Sequence, residues 1–490
     1  MYDILIIGAG ITGLAIARRL SRYDLRICVL EKEPDVAMGS TKANSAIVHG
    51  GYAESSDKLK GQLCYQGRVQ FAQLDSELHF GFRQTGSLVL TTDPDDLPKL
   101  QALLENGRRN GLADIEILSG KEILEVEPNA NPQACYALYC KGAGVCSPYE
   151  MAIALAENAV RNGIKLFLNE TVTDIKKQAE GFLVTTGKEQ RQAAMVINCA
   201  GVESGRVAAM AAPAEFTIRP RSGQYILLEK GTGDLLRTVV FQMPTKMGKG
   251  ILVTPTYHGN LLIGPDAIDE EGDNRSTDVQ RLAAIYRQGL AAAPQLDITK
   301  FIRSFAGVRA VSSTDDFIVE MSKTPGFINV AGIQSPGLTS APAIADRVAE
   351  MIRQAGVRLL PNPRYLPYRL PIITPKEPLP ADEVKRLAAL PSSGERLICR
   401  CEQVTQRVIL DSLRGGIRVT TVDGVKRRTR ASMGLCQGAF CRPRYKELIE
   451  KEYNISIDSL TDVQRAGVSR VGKQELLAYL KSTEAQADGE

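Results

Sequence analysis

The sequence predicts an α/β protein that opens with a nucleotide-binding βαβ unit and ends in a separate cysteine-bearing module. Three observations support this prediction: a glycine-rich turn between the first apolar run and the first helical pattern, later alternation of helical and strand-like stretches, and a proline-rich stretch before four paired cysteines. The length of 490 residues is enough for about two to four domains. We therefore expect a large α/β part followed by a small appended module.

The first βαβ unit consists of an apolar run at residues 3–7, a helical pattern at 11–20 and a second strand at 25–30. The glycines of its G-x-G-x-x-G turn are Gly8, Gly10 and Gly13. There the bare backbone can approach a pyrophosphate at the helix N-terminus. Glu31 closes the second strand, where its carboxylate can accept hydrogen bonds from both hydroxyls of an adenosine ribose. The unit predicts a dinucleotide site without a 2′-phosphate.

The motif alone leaves NAD and FAD open, and three later stretches add to it. Gly39–Gly51 (GSTKANSAIVHGG) concentrates small residues, hydroxyls and amides, which suits a loop against phosphates and a ring. Met195–Gly201 (MVINCAG) predicts a strand ending in small residues. Gly326–Ala345 predicts a strand, a glycine-rich turn and a helix whose positive end can face a flavin pyrimidine. In this order the stretches resemble the D-amino-acid-oxidase superfamily, which implies FAD as the cofactor.

Four shorter motifs, NSAIVHGGY, PTYHGNLLIGPDA, AGVRA and SPGLTSAPAIA, narrow the resemblance. They resemble the branch that contains FAD-dependent glycerol-3-phosphate dehydrogenases and L-2-hydroxyglutarate dehydrogenases. The resemblance implies a Rossmann-like FAD-binding domain with an inserted antiparallel-sheet substrate domain, both within residues 1–365. The expected FAD-binding segments are about 1–80, 146–215 and 326–360, and the expected substrate segments are about 81–145 and 216–325.

The same resemblance implies which residues contact FAD. The expected contacts lie in the first glycine-rich turn, at the end of the second strand, in the loop that follows, and in two later turns. They are Gly8, Gly10, Gly13, Glu31, Lys32, Ser40, Thr41, Asn44, Ser45, Ala200, Gly201, Gly332, Gly337, Leu338 and Thr339.

The chain has three histidines, and one of them is a candidate catalytic base. Removing a hydride from an alcohol carbon requires a base for the hydroxyl proton, and histidine titrates in the useful range. His49 matches the family histidine in the loop that borders the flavin; its alternative role is a hydrogen bond to a flavin carbonyl or to the loop backbone. His79 is expected to be structural. His258 is predicted at a hairpin tip, either as an exposed turn residue or at the border of the substrate cleft.

Binding an anionic substrate requires positively charged side chains. Arg309 in AGVRA matches the family arginine that reaches the substrate carboxylate or phosphate, where its fork can bind two oxygens. Ala310 stands where many relatives have proline, which leaves the local backbone geometry less certain. Lys249 and Arg221 are weaker substrate-binding candidates, for which a solvated surface charge is the alternative.

Composition and charge are those of a globular protein and do not indicate a nucleic-acid-binding or membrane-spanning protein. Hydrophobic residues make up 44% and charged residues 24% of the chain, and a net charge of +4 implies no general affinity for nucleic acid or membranes. No apolar run is long enough to span a membrane, and the N-terminus does not resemble a signal peptide. We expect a cytoplasmic protein whose contact with the inner membrane face would be peripheral or through partners. Its scattered cysteines, predicted as reduced thiols, are Cys28, Cys64, Cys135, Cys140, Cys146 and Cys199.

The C-terminal part begins after a proline-rich stretch. Eight of the 24 prolines lie between Pro361 and Pro391, which predicts a stiff linker without regular structure at 366–393 that wraps the first domain. The module is expected at 394–450, followed by a tail, 451–490, with a frayed end.

Four further cysteines in this module form a C-x-C pair and a C-x₄-C pair separated by 34 residues, namely Cys399, Cys401, Cys436 and Cys441. Adjacent C-x-C thiols rarely form an unstrained disulfide, whereas four thiolates suit a [2Fe–2S] cluster or zinc. Spacing alone does not choose between the two metals. The segments ICRCEQVTQ and DGVKRRTRASMGLCQGAFCRPRY resemble the bacterioferritin-associated-ferredoxin-type module, which implies a small helical domain with a [2Fe–2S] cluster and leaves zinc as the alternative.

The basic run VKRRTRA lies between the two cysteine pairs. Its arginines can offset the negative charge of a cluster bound by four thiolates, or they are plain surface charges. The run lacks the interleaved aromatic residues of a single-strand nucleic-acid site, so we expect no nucleic-acid partner.

These features predict an FAD-dependent dehydrogenase that oxidises a small anionic 2-hydroxy compound. The resemblance implies sn-glycerol 3-phosphate as substrate, hydride transfer to flavin N5, and electron exit through a [2Fe–2S] cluster to a partner protein or subunit. One alternative is L-2-hydroxyglutarate, an amino acid or an opine as substrate. Another is a non-catalytic FAD-containing electron-transfer subunit, which the intact His49 and Arg309 disfavour. A purely structural role for the cluster remains a further alternative.

Overall fold

The computed structural model describes residues 1–213, 215–243, 250–372, 378–456 and 468–487, with side chains described up to residue 483. The strands are β1 Tyr2–Ile7, β2 Ile27–Leu30, β3 Ile47–Val48, β4 Phe82–Gln84, β5 Ser87–Thr91, β6 Ile115–Ser119, β7 Tyr136–Cys140, β8 Gly144–Cys146, β9 Lys165–Phe167, β10 Val172–Gln178, β11 Gly181–Thr186, β12 Gln190–Asn198, β13 Ile218–Leu228, β14 Val239–Gln242, β15 Leu252–Pro255, β16 Leu261–Gly264, β17 Ile268–Asp269, β18 Phe301–Ser312, β19 Ile318–Met321, β20 Phe327–Ala331, β21 Leu397–Cys399 and β22 Val404–Thr405. The α-helices are α1 Ile11–Leu20, α2 Leu59–Arg68, α3 Phe71–Leu78, α4 Leu97–Arg109, α5 Lys121–Val126, α6 Pro148–Arg161, α7 Ser204–Ala211, α8 Val279–Ala292, α9 Gly337–Gln354, α10 Ala381–Ala389, α11 Gln406–Leu413, α12 Val422–Thr429, α13 Arg442–Tyr453 and α14 Lys473–Ala487.

The first sheet contains the predicted βαβ unit, which the structure confirms. Its strand order is β10-β11-β12-β1-β2-β9, with β20 beside β12 and β19 beside β20. β9, β2, β1, β12 and β20 run parallel, whereas β10 and β11 add antiparallel strands at one side. Side chains alternate along β1, so Ile4 and Ile6 join a core with α1, α6 and α9, while Leu5 and Ile7 face a second core. Both faces of this sheet are therefore covered.

The second sheet is built mainly from antiparallel strands, as predicted for the substrate domain. Its order is β17-β13-β16-β15-β14-β5-β7-β6, with β18 beside β13. The long strands β13 and β18 pair from Ile218 with Ser312 to Leu228 with Phe301. Only β14 and β5 pair in parallel within this order. β15 and β16 form the hairpin predicted around the YHGN turn.

The C-terminal module is a small helical unit with its own core. β21 and β22 form a short antiparallel pair, and α11, α12 and α13 pack around buried side chains that include Ile409, Val425 and Tyr445. The predicted helical character of this module is confirmed.

The predicted linker lies on the first domain in its first part and contains a helix in its second part, and residues 373–377 between them lie outside the described residues. Residues 361–372 do lie on the first domain, since the Asn362 N–H donates to the Arg22 carbonyl at 2.8 Å and Arg369 pairs with Glu157 at 2.6 Å. The expectation of no regular structure is wrong at α10, because Pro380 precedes the helix and acts as its N-terminal boundary rather than interrupting it.

Within the tail, α14 returns to the substrate domain, whereas the last residues of the predicted frayed end, 488–490, lie outside the described residues. Val471, Leu476 and Leu480 are buried in the same apolar core as Leu282 and Ile285 of α8. Helical spacing places Leu476 and Leu480 on one face, and this apolar face binds the helix to the second sheet. No helix among the described residues is both long enough and apolar enough to cross a membrane.

Candidate active site

A cavity of about 710 Å³ lies where the carboxyl ends of the parallel strands meet the second sheet. Most of the residues predicted to contact FAD line it: Gly8, Gly10, Glu31, Lys32, Ser40, Thr41, Asn44, Ser45, Ala200, Gly201, Gly337 and Leu338. A cleft at the carboxyl ends of parallel strands is where open α/β sheets bind nucleotides. The cavity therefore joins the predicted nucleotide site to the predicted substrate domain.

The glycine-rich turn fits a dinucleotide because side chains are excluded from it. Gly8 has φ +104°, and a Cβ there would lie 2.4 Å from the Cys199 carbonyl oxygen. A Cβ on Gly13 would lie 2.1 Å from the Gly8 carbonyl oxygen, so Gly13 permits the close approach of α1 without lining the cavity itself. Glu31 accepts hydrogen bonds from the Ala9 and Glu33 N–H groups at 2.7 and 3.0 Å, and burial raises its pKa.

Two other predicted FAD contacts, Gly332 and Thr339, stand behind the cavity wall. Gly332 has φ +64°, and a Cβ there would lie 2.7 Å from the Ser312 Cβ. The Thr339 hydroxyl accepts the His49 N–H at 2.9 Å and donates to the Ile47 carbonyl at 3.3 Å. Thr339 thus holds the loop after β3 against the start of α9.

His49 follows β3 and lines the cavity, as the sequence predicts. Its Nε2 lies 3.2 Å from the Ser335 hydroxyl, and its ring centroid lies 6.0 Å from that of Phe241. The backbone hydrogen bond to Thr339 and the contact with Ser335 fix both the position and the ring plane of His49. The structure therefore places the His49 imidazole at the cavity wall, within reach of a bound small molecule.

Arg309 lies on β18 and also lines the cavity. Its Nη2 donates to the Asp266 carbonyl at 3.2 Å, and Arg309 forms a hydrogen bond with the Tyr225 side chain. Arg221 is opposite Arg309 in the β13–β18 register and lines the same cavity, but it pairs with Asp269 at 2.6 Å. Lys249 lies outside the described residues.

Sequence reasoning missed several polar residues of the cavity wall, among them Tyr225 and Arg275. The Tyr225 ring stacks on Phe305 with centroids 4.8 Å apart, its hydroxyl contacts Ser45 and Arg309, and burial raises its pKa. Arg275 donates to the Met38 carbonyl at 2.9 Å and forks onto both carboxylate oxygens of Asp273. The alternation that predicts β13 marks Tyr225 only as an inward-facing strand residue.

His258 does not belong to this cavity. Its Nε2 lies 2.7 Å from the Glu150 carboxylate, and burial lowers its pKa. Both interpretations, an exposed turn and a substrate contact, are therefore wrong, because α6 and the C-terminal module cover the hairpin tip. His79 caps α3 in the left-handed conformation with φ +52°, which agrees with the predicted structural role.

The four cysteines predicted as ligands come together as two thiol pairs. The Sγ atoms of Cys401 and Cys436 lie 3.7 Å apart, and the Cys399 and Cys441 thiols are hydrogen-bonded to each other. That bond lowers the pKa of Cys441 to about 6 and raises the pKa of Cys399. Cys399 and Cys441 are buried, Cys436 is half-buried, and Cys401 is exposed.

This pairing suits a binuclear cluster. The two irons of a [2Fe–2S] cluster share four thiolates, two to each iron, whereas a structural zinc ion needs its ligands around a single point. Among the described residues, no group of three or more His, Cys, Asp or Glu side chains has the geometry to hold one metal ion.

Of the other six cysteines, all are buried except Cys135, which is half-buried.

The basic run of the module is an interdomain contact, not a solvated surface. Arg427 donates to Asp35 at 2.6 Å, and Arg428 donates to both Asp35 oxygens at 2.7 and 2.9 Å. These arginine side chains are 3% and 0% exposed. Arg430 pairs with Glu402 at 2.9 Å. Burial would raise the pKa of Asp35, but Arg428 and Arg427 outweigh it and hold that pKa below its usual range.

Helix α12 also contacts the loop that lines the cavity. Arg427 donates to the Val36 carbonyl at 2.6 Å, and Lys42 pairs with Asp423 at 3.3 Å. Met38 lies between these contacts, with its sulfur 3.2 Å from Arg427. The C-terminal module is thus anchored on residues directly before and within the predicted FAD loop.

Comparison with known proteins assigns this chain to a family. Residues 3–351 match the family model described as FAD dependent oxidoreductase. The chain belongs to the FAD-dependent oxidoreductase family. Residues 397–451 match the BFD-like [2Fe-2S] binding domain, so this FAD-dependent oxidoreductase carries a second, iron–sulfur cofactor module. FAD and a [2Fe–2S] cluster are its cofactors, and the cavity and the thiol pairs are the parts of the structure that fit them.

Three relatives of this oxidoreductase illustrate the range of similarity. It is 42% identical to a glycerol 3-phosphate dehydrogenase of Caloramator mitchellensis, over 94% of this chain and 96% of the relative. The solved structure of dithionite-reduced L-alpha-glycerophosphate oxidase from Mycoplasma pneumoniae with FAD bound has a TM-score of 0.71 and 30% identity, covering 76% of this chain and 99% of that one. The human mitochondrial L-2-hydroxyglutarate dehydrogenase is 26% identical, over 72% of this chain and 89% of the relative.

Proposed function

We propose that the protein is a glycerol-3-phosphate dehydrogenase that oxidises sn-glycerol 3-phosphate to dihydroxyacetone phosphate. The observation that carries the proposal is that His49 and Arg309 line the same cavity as the nucleotide-binding turn. The similarity to a glycerol 3-phosphate dehydrogenase over nearly the whole of both chains supports the choice of substrate.

His49 is the proposed base for the substrate hydroxyl. Its Nε2 removes the hydroxyl proton once the substrate hydroxyl replaces the Ser335 hydroxyl, which lies 3.2 Å from this nitrogen, while the backbone hydrogen bond to Thr339 holds His49 in place. Bound FAD supplies the acceptor for the hydride of the alcohol carbon. Apolar residues such as Phe241 and Leu252 line the same cavity and exclude water from the reacting carbon.

Arg309 is the proposed anion-binding residue. Its guanidinium can bind two phosphate oxygens at once, and the hydrogen bonds to Asp266 and Tyr225 fix its orientation before the substrate arrives. A carboxylate can also be bound through two oxygens by an arginine. L-2-hydroxyglutarate is therefore the second candidate substrate, supported by the similarity to L-2-hydroxyglutarate dehydrogenase.

We further propose that electrons leave through the [2Fe–2S] cluster to a partner protein. The solved oxidase is covered over 99% of its length yet matches only 76% of this chain, so about a quarter of this chain has no counterpart in it. The dehydrogenase relative is matched over 94% of this chain. An added cluster module in a dehydrogenase suits an acceptor other than oxygen.

The test is an anaerobic substrate panel followed by flavin absorbance. We expect sn-glycerol 3-phosphate to bleach the flavin faster than L-2-hydroxyglutarate, L-proline or glycine at equal concentration. Faster bleaching by L-2-hydroxyglutarate would assign the second substrate instead. Bleaching by none of them, in protein that dithionite does bleach, would favour a non-catalytic electron-transfer subunit.

A further inference from the structure

The loop that carries two of the predicted cluster ligands exposes two large apolar side chains. Leu435, next to Cys436, is 67% exposed, and Phe440, next to Cys441, is 76% exposed. A Cβ on Gly434 would lie 2.4 Å from the Cys401 Cβ, so the start of this loop presses against the exposed cysteine. Large apolar side chains kept in water beside a functional group indicate a contact surface.

The thiols define an inner and an outer edge of the cluster site. Cys399 and Cys441 are buried in the core of the module, whereas Cys401 faces solvent beside the exposed loop. An acceptor that covers Leu435 and Phe440 therefore meets the outer edge directly. No other part of the described module brings a cysteine ligand to the surface to this degree.

Two arginines lie close in sequence to the cysteines of this surface. Arg400 is exposed beside Cys401, and Arg444 is half-buried three residues after Cys441. The acid nearest in sequence to the outer cysteine, Glu402, is 3% exposed in its side chain and is paired with Arg430. Complementary charge on a partner would accelerate its association, so these arginines favour an acidic protein.

We propose that Arg400, Cys401, Leu435, Phe440 and Arg444 form an exit surface that docks a small acidic one-electron carrier protein. The proposal rests on the proposed function, which supplies the electrons. A small apolar centre with a charged rim is typical of transient electron-transfer complexes, which bury less area than stable subunit interfaces. Each alcohol oxidised to a ketone releases two electrons and two protons. Two carriers are therefore reduced by one electron each, and two protons go to solvent.

Rubredoxin, an acidic one-electron iron protein, is a suitable probe for the holoenzyme. We expect Phe440→Asp and Leu435→Asp each to lower kcat/KM for rubredoxin about 30-fold, as when one interface hot spot is lost. The rate with the wild type should fall as salt rises, and Arg400→Glu should weaken that dependence. Leu370→Asp, which changes a side chain 82% exposed elsewhere on the chain, is the matched control and should leave the rate unchanged.

Two further measurements distinguish a failure of the proposed function from a failure of the proposed exit surface. Anaerobic bleaching of the flavin by glycerol 3-phosphate tests the proposed function, and it should be the same in all these variants. Binding of redox-inert zinc-substituted rubredoxin, followed by NMR line broadening, should be weaker for Phe440→Asp than for Leu370→Asp. Normal bleaching with equal rubredoxin rates and binding in both variants would overturn the exit surface alone. A wild-type dimer in sedimentation that Phe440→Asp converts to monomer would also overturn it, because a second copy would then be the occupant.

Discussion

At the scale of single residues, His49 carries the proton step of the proposed reaction. His49→Asn keeps a polar side chain of similar size but cannot serve as a base near neutral pH. We expect the rate of flavin bleaching by glycerol 3-phosphate to fall about 100- to 10,000-fold, the usual contribution of a general base. Rapid-mixing absorbance measures this rate. A rate within a few-fold of wild type would mean that His49 only orients the loop.

Arg309 should act on substrate binding more than on the FAD site. Arg309→Ala should raise KM for glycerol 3-phosphate about 30-fold or more, because a charged partner of the phosphate is lost. Arg309→Lys should recover part of this loss, since lysine keeps the charge without the fork. Arg221→Ala is the control, because that arginine is already paired with Asp269 and should change KM less. An unchanged KM in Arg309→Ala would refute the anion-site assignment.

A residue of the site can be predicted from the sequence when its neighbours in the chain identify it, but not when its partners are distant in sequence. His49 and Arg309 sit in short motifs, so their positions at the cavity are predictable from sequence. Tyr225 acquires its role only where β13, β18 and the loop at Ser45 meet, and no local pattern encodes that meeting. The position of His258 is likewise not predictable locally, because its partner Glu150 on α6 is 108 positions away in sequence.

At the scale of elements, α12 is held by a buried charge that a single substitution can remove. Asp35→Asn would remove the carboxylate that Arg427 and Arg428 share, at sites that are nearly free of solvent, and leave them only the carboxylates of Asp423 at 3.1 Å and Glu157 at 3.7 Å. Breaking such a pair typically costs about 3–5 kcal/mol. We expect a matching loss in the free energy of unfolding by urea and faster release of FAD, because α12 supports the FAD loop. Asp3→Asn, in the exposed pair with Arg26, is the control and should cost about 1 kcal/mol or less.

The same contact predicts a pH dependence. The pKa of Asp35 is depressed in the folded protein, so its stabilising contribution is complete above the unfolded value of about 3.9. That contribution is lost as pH falls through the folded pKa. The difference in unfolding free energy between wild type and Asp35→Asn should therefore be constant from pH 7 to about pH 5 and shrink below about pH 4. A difference that grows on acidification would contradict this assignment.

The elements predicted correctly are those whose signal lies within the element. The βαβ unit has its glycines, its apolar strands and its acid in one stretch, and the β15–β16 hairpin has its turn residues. The helices α10 and α14 are not predicted, because dense prolines and a polar composition obscure their helical spacing. Leu476 and Leu480 lie one helical turn apart, but they are buried only because they pack against α8, which is distant in sequence.

At the scale of the whole molecule, the C-terminal module contacts the first domain through α12, and described stretches of chain before and after the module contact the rest of the protein. Residues 361–372 lie along the first domain, α12 grips Asp35 and the FAD loop, and α14 returns to the second sheet. A module tethered in this way has little freedom to swing between partners. We therefore expect the cluster site to keep a constant position relative to the cavity, which the proposed electron relay requires.

Removing the cluster should separate substrate oxidation from electron exit. Cys401 is the exposed ligand, so Cys401→Ser disturbs the core of the module least while removing a thiolate from the outer edge. We expect the iron–sulfur EPR signal to be lost, flavin bleaching by glycerol 3-phosphate to stay within about twofold of wild type, and reduction of rubredoxin to stop. Cys135→Ser, which changes a half-buried thiol outside the module, should affect none of the three. If rubredoxin were still reduced at the wild-type rate by protein without the cluster, electrons would leave directly from the flavin. The module would then serve only to brace the FAD loop through α12, and the stability cost of Asp35→Asn would be its main measurable effect.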